Sequence, residues 1–301
     1  MDDIRGGRNF MLNIIKMDLY KVFKMRSFYV VNILAIVFGV IMAMNMVPTS
    51  FETSTSESVA IENVDKSSSG SDTKDEPGAN IGIQVDTSGI KDVTQNAVFV
   101  YGQLLSSGIY VLFSVIFVII FVSSENKNGY IKNIGGQVKH RRQLFISKMI
   151  TVGVYTVLFD VLMFLVEIIV WMICLKKLSL GEGSFSGYIS FIIFQVLLQY
   201  TFMMVCATIE VVTKSRVFGM TTAVCLSIGM GTTICMAIDA GVKRITGFEI
   251  ALEKYLITTK INSIAPGISM TQQTKLVVFI VIYLAVAAAV GMISMEKRDL
   301  V

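Results

Sequence analysis

Two acidic residues, Asp160 and Glu167, sit inside the otherwise apolar stretch 149–173. Seven residues apart on a helix, they share a face. An ionised acid near the bilayer centre costs about 2.5–3.5 kcal/mol on insertion scales, so a helix carrying two needs polar surroundings. The pair is expected to face a bundle interior or a wet pathway, or to be protonated. Gln195 and Gln199, one turn apart in the next apolar stretch, are candidate hydrogen-bond partners. Two roles remain open. The acids could contact a substrate or an ion, or they could be structural, as an interhelical hydrogen-bond lock or with Glu167 near enough to the outer surface to reach water.

Other chemistry is scarce. No G-x-x-x-x-G-K-[ST] loop occurs, so the chain cannot cradle nucleotide phosphates in that way. There is no H-E-x-x-H, and the single histidine, His140, excludes a histidine-rich metal site. No apolar stretch carries a Ser/His or Asp/His pair suited to intramembrane hydrolysis. The cysteines (Cys174, Cys206, Cys225 and Cys235) lie in or beside apolar runs with no C-x-x-C, and read as small hydrophobic residues. Neither an enzyme nor a bound metal or cofactor is expected.

The elements that must hold these residues are membrane spans. Of 301 residues, 53% are hydrophobic and only 16% charged, against about 25% charged in soluble domains. The apolar residues come in blocks, which defines an all-α polytopic membrane protein. The net charge of +4 has no soluble basic face to act from, so nucleic acid is not an expected partner. Six spans are read at 28–47, 101–123, 149–173, 189–211, 217–238 and 276–295. The first is too long for a signal-peptide core and lacks a small-x-small cleavage site. Gly219, Ala223, Ser227 and Gly231 recur at intervals of four on the fifth span. They would make one smooth ridge, for packing within the bundle, for a subunit contact or for a sliding surface.

The polar connections complete the layout. Residues 1–27 contain an amphipathic helix with Met11, Leu12, Ile15, Leu19, Val22 and Phe23 on one face and Lys16, Tyr20 and Lys24 on the other, suited to the headgroup layer. Residues 48–100 form an acidic, Ser/Thr-rich outer loop, with nine acids against three lysines over 48–97. It is either solvated surface or a lure for cationic peptides. In 239–275, Ile245, Phe248, Ala251, Leu252 and Tyr255 have helical spacing and apolar surface enough to dip into the membrane, and Pro266-Gly267 marks a turn before the last span. With both termini and the tail 296–301 in the cytoplasm, the inner segments hold 16 Lys plus Arg against 10 outside. That is the positive-inside arrangement, although the five basic residues of 239–275 oppose it.

Residues 124–148, SENKNGYIKNIGGQVKHRRQLFISK, then form a basic cytoplasmic segment between the second and third spans. Glu125 follows the second span, Gly129 comes four residues later, then Lys132, a basic patch with Arg141 and Arg142, and Lys148 at the entry to the third span. This pattern resembles the permease subunits of type-2 ABC exporters, whose six-span layout, amphipathic N-terminal helix and membrane-dipping segment also fit. The resemblance implies a plasma-membrane permease that docks cytoplasmic ABC ATPase subunits through 124–148 and pairs with a second permease copy or a related one. ATP and Mg would be bound by the ATPase alone, and membrane lipid would surround the pair. Compact members of the family look built for export or clearance of amphipathic or antimicrobial peptides. The rivals are a Na⁺ or small-ion exporter using Asp160 and Glu167, and a non-transporting sensor or scaffold.

Overall fold

A computed structural model describes residues 2–46, 97–127, 142–175, 185–246, 251–264 and 268–297. All regular structure among them is helical. The helices are α1 (Asp2–Lys24), α2 (Arg26–Met46), α3 (Ala97–Ser106), α4 (Ile109–Lys127), α5 (Arg142–Leu175), α6 (Phe185–Thr213), α7 (Arg216–Ser227), α8 (Met230–Thr246), α9 (Ile257–Ser263) and α10 (Met270–Glu296), with a 3₁₀ turn at Leu252–Tyr255. The outer loop 48–96, the link 176–184 and the turn at Pro266-Gly267 lie outside the described residues.

Four helices are long and apolar enough to cross a membrane: Arg26–Met44, Arg142–Val170, Ile189–Thr213 and Met270–Glu296. A fifth crossing arises if the bent pair α7–α8 counts as one. The described residues therefore form a helical, membrane-embedded bundle. Its outer helices show the pattern lipid demands. Ile33, Leu34, Val37 and Ile41 on α2, and Val278, Val281, Ile282 and Val286 on α10, are all exposed. A soluble fold could not leave such continuous apolar faces open to water.

Helix α6 is the axis, packing against α4, α5, α7 and α10. Its inward residues Leu198, Phe202, Met203 and Ala207 are buried. An aromatic layer fills the space between α4 and α5, with the Phe117 and Tyr155 rings 4.3 Å apart and Phe28 of α2 against both.

Three expected helices are interrupted. The run 101–123 is not one helix, because it breaks at Ser107-Gly108. Gly108 has φ +78°, and the Ser107 hydroxyl turns back to the Leu104 carbonyl at 2.7 Å. The run 217–238 breaks at Ile228-Gly229, where Gly229 takes φ +90° and the chain bends by 76°. Only glycine reaches such φ values without strain. The helix expected from Ile245 to Tyr255 is also interrupted. Ala251 sits at φ +52° and Ile245 is 86% exposed, and the segment that packs into the bundle is α9, with Ile257, Thr258 and Ile261 buried. Phe248 lies outside the described residues. Finally, α10 begins six residues earlier than expected from hydropathy, at Met270, with the Gln272 Oε1 accepting the Ser269 N–H at 3.3 Å.

Candidate functional site

The two acids of α5 do meet at a polar core, buried inside the chain. Asp160 is 4% exposed and Glu167 fully buried. Helix α5 meets α3 and α4 here through two tyrosines. The Tyr110 hydroxyl donates to Glu167 Oε1 at 2.6 Å, and the Tyr101 hydroxyl donates to the Asp160 carbonyl at 3.0 Å. The tyrosine rings lie 6.2 Å apart, so one aromatic pair spans from the Glu167 carboxyl to the Asp160 backbone. The close approach of Tyr110 depends on Gly39 of α2, where a Cβ would come within 2.7 Å of the hydroxyl. Glu167 is thus held by an interhelical hydrogen bond and is not at the surface of the chain.

The glutamines behave differently from each other. Gln195 does not pair with either acid. Its amide donates to Ser106 Oγ at 3.0 Å and to the Ile261 carbonyl at 2.9 Å, tying α6 to α3 and α9. Gln199 does lie beside Asp160, while its amide donates to Ser114 Oγ on α4 at 3.2 Å. Among the described residues several buried atoms here lack a well-formed hydrogen bond: both Asp160 carboxyl oxygens, Glu167 Oε2, Gln199 Oε1 and the Tyr155 hydroxyl. Such orphans are uncommon in a protein interior. Asp160, Glu167, Gln195 and Gln199 are all buried.

A second constellation holds the start of α5. The Ser147 hydroxyl donates to Asp18 of α1 at 2.6 Å, with both side chains buried. Arg142 forms an ion pair with Glu296, at the far end of α10, with its Nη2 2.6 Å from Oε2. Between them the buried Phe145 ring lies against Gly291 of α10, where any Cβ would overlap it. The first two turns of α5 are thus gripped by α1 on one side and α10 on the other.

This changes the reading of the basic segment. Of the expected ATPase-coupling residues, Gly129, Lys132 and Arg141 lie outside the described residues, and Glu125 is placed only as the last turn of α4. Arg142 is exposed but engaged by Glu296. Lys148 is 3% exposed, so its side chain belongs to the bundle and offers no surface to a docked protein.

The small-residue ridge is also corrected. The bend at Gly229 puts Gly231 on α8, apart from Gly219, Ala223 and Ser227 on α7. Gly219 and Ala223 are buried within the bundle. Gly219 permits close contact with Glu210 of α6, whose Cβ would lie 3.2 Å from a Cβ added there. The Ser227 hydroxyl returns to the Ala223 carbonyl at 2.8 Å. Gly231 instead faces Leu226.

Sequence reasoning passed over Asp18, Tyr101, Tyr110 and Glu210, all buried. Asp18 had a signal: it interrupts the apolar series Ile14, Asp18, Val22, which is the stripe that packs, while Leu12 and Phe23 of the expected apolar face are exposed. Among the described residues no group of three or more His, Cys, Asp or Glu could hold a metal, and Cys206, Cys225 and Cys235 are free thiols. The chain matches no family model and no curated protein sequence.

Proposed function

We propose that this chain is the permease subunit of an ATP-driven ABC exporter, expelling amphipathic or hydrophobic compounds such as antimicrobial peptides from the plasma membrane. In this reading α2, the broken pair α3–α4, α5, α6, the bent pair α7–α8 and α10 make six crossings, and both termini are cytoplasmic. Residues 124–148 receive the push of a separate ATPase, which binds the ATP and Mg, and two permease chains enclose the pathway.

The observation that carries the reading is the grip on the start of α5. The basic segment runs directly into Arg142, and Asp18–Ser147, Phe145–Gly291 and Arg142–Glu296 bind α1, α5 and α10 together there. A force on the segment would move three helices as a unit, which a solvated anchor loop does not need. Rigid transmission of this kind is how domain motion is converted into helix tilt.

The test is co-expression with the candidate ATPase. A stable complex is expected, and Glu125→Ala should leave ATP hydrolysis running while transport of a membrane-active peptide stops. A chain that purifies alone, with no ATPase bound and no peptide resistance conferred, would favour a sensor or scaffold. Labelling of Lys139→Cys from outside intact cells would invert the topology and defeat the proposal.

A Na⁺ or small-ion exporter is the second reading, favoured by the buried Asp160, whose carboxyl oxygens lack a well-formed hydrogen bond among the described residues. It predicts that Asp160→Asn abolishes Na⁺ tolerance and leaves peptide resistance intact.

A further inference from the structure

The five basic residues of 239–275 run against the positive-inside pattern, and three of them gather at one place. Lys254 on the 3₁₀ turn, Lys260 on α9 and Lys275 in the second turn of α10 line a partly open cavity of about 770 Å³. Its apolar wall includes Ile264, Leu276 and Phe279. Ile264 and Leu276 are buried and Phe279 half-buried. Among the described residues none of the three lysines has an ion-pair partner.

The cavity sits at the N-terminal end of α10, a helix that crosses the membrane by length and composition. Past Phe279 the same side of α10 continues as exposed apolar surface through Ile282 and Val286, three and seven residues on. Three ammonium groups at the headgroup level therefore stand over an apolar track leading into the hydrocarbon. Lysine-rich pockets beside membrane helices recognise anionic headgroups, and the volume lies in the usual range for a bound small molecule, about 300–1,000 Å³. A free phosphate would satisfy the lysines and leave the apolar wall uncovered. A zwitterionic lipid would bring its own cation among the lysines.

We propose that this cavity binds the phosphate headgroup and first acyl carbons of an anionic phospholipid. The lysines hold the phosphate, and Leu276 and Phe279 receive the chain. The site explains why lysines collect on a face where the charge rule disfavours them, and it stands whether or not an ATPase drives the protein.

Native mass spectrometry of the full chain, presented with equal amounts of phosphatidylglycerol and phosphatidylcholine, tests it. Wild-type protein should retain one phosphatidylglycerol in preference to phosphatidylcholine by about tenfold or more. The triple variant Lys254→Gln/Lys260→Gln/Lys275→Gln should lose that preference, while Arg244→Gln, which alters a basic residue that does not line the cavity, should keep it. Inorganic phosphate alone should not displace the lipid. Should the triple variant fail to fold, Lys254→Gln and Lys275→Gln singly, both at exposed positions, should each weaken retention. Equal retention of the two lipids, an unchanged preference in the lysine variants, or displacement by inorganic phosphate would each overturn the proposal.

Discussion

Replacing Gly291 with alanine tests the grip on α5 by the sign of its effect. Gly291 lies inside the long helix α10 and is buried. In a helix interior, Gly→Ala alone is worth about 1 kcal/mol of stabilisation, because alanine restricts the unfolded chain and loses less on folding. Here the added methyl would meet Cζ, Cε1 and Cε2 of Phe145 well inside contact distance. The Phe145 ring is 1% exposed, so it has no free space to swing into. Overpacking of this kind costs about 1–3 kcal/mol. The net expectation is a loss of up to about 2 kcal/mol, or a few degrees in apparent Tm, at about 2–4 °C per kcal/mol for chains near this size. Thermal unfolding in detergent at one fixed scan rate reads it. In a Phe145→Leu background the obstructing ring is gone, and Gly291→Ala should become neutral or stabilising, with a coupling of about 1–3 kcal/mol between the sites. A rise in Tm on Gly291→Ala alone, or the same shift in both backgrounds, would show that Phe145 does not clamp α10.

Three further outcomes follow from particular contacts. Asp18→Ala should free α1 from α5, destabilise the protein by about 1–3 kcal/mol through loss of a buried partner for Ser147, and raise protease cleavage within residues 2–24. Tyr110→Phe should cost about 0.6–1.7 kcal/mol, the range for hydrogen bonds between membrane helices. Gly39→Ala, which crowds the same hydroxyl, should then add little in the Tyr110→Phe background when unfolding is compared across the four proteins. Deleting residues 52–76 should leave peptide transport unchanged if that loop is solvated surface, and a large loss would assign it a role in substrate capture.

The residues that the sequence located best are those whose cost is local. Asp160 and Glu167 are expensive in lipid wherever the helix lies, so their burial on one face of α5 could be read from spacing alone. Their partners could not. Periodicity orients residues about one helix axis and leaves open which face of a neighbour comes opposite. The glutamines were the obvious polar candidates, yet Glu167 meets Tyr110, a residue that an apolar helix also accepts for its ring. The breaks at Gly108 and Gly229 were hidden for a related reason. Hydropathy runs smoothly through both, glycine is common in straight membrane helices, and only the backbone angles distinguish a bend. The fifth span's ridge failed at that same point: intervals of four describe one face only while the helix stays continuous. Lys148 read as a surface charge because it ends a basic run, whereas α5 starts at Arg142 and carries it into the bundle.

Helix α5 is where the two constellations become one device. It runs 34 residues without a described break, from the gripped turn at Arg142 to beyond Glu167. Ser147 and Asp160 are 13 residues apart on it, which is about 20 Å of rigid helix. In the proposed exporter the motor acts at the gripped end. A tilt of about 10° pivoting there, modest beside known subunit rotations, would carry Asp160 roughly 3.5 Å and Glu167 further. A hydrogen bond is lost over much less than that, since donor–acceptor distances cluster at about 2.5–3.2 Å. The Tyr110–Glu167 bond and the approach of Gln199 to Asp160 would both open, and the buried oxygens that lack partners in the closed bundle would become available to water, to an ion or to a polar group on the substrate. A core built only of leucine and phenylalanine would slide under the same tilt without changing what it can bind.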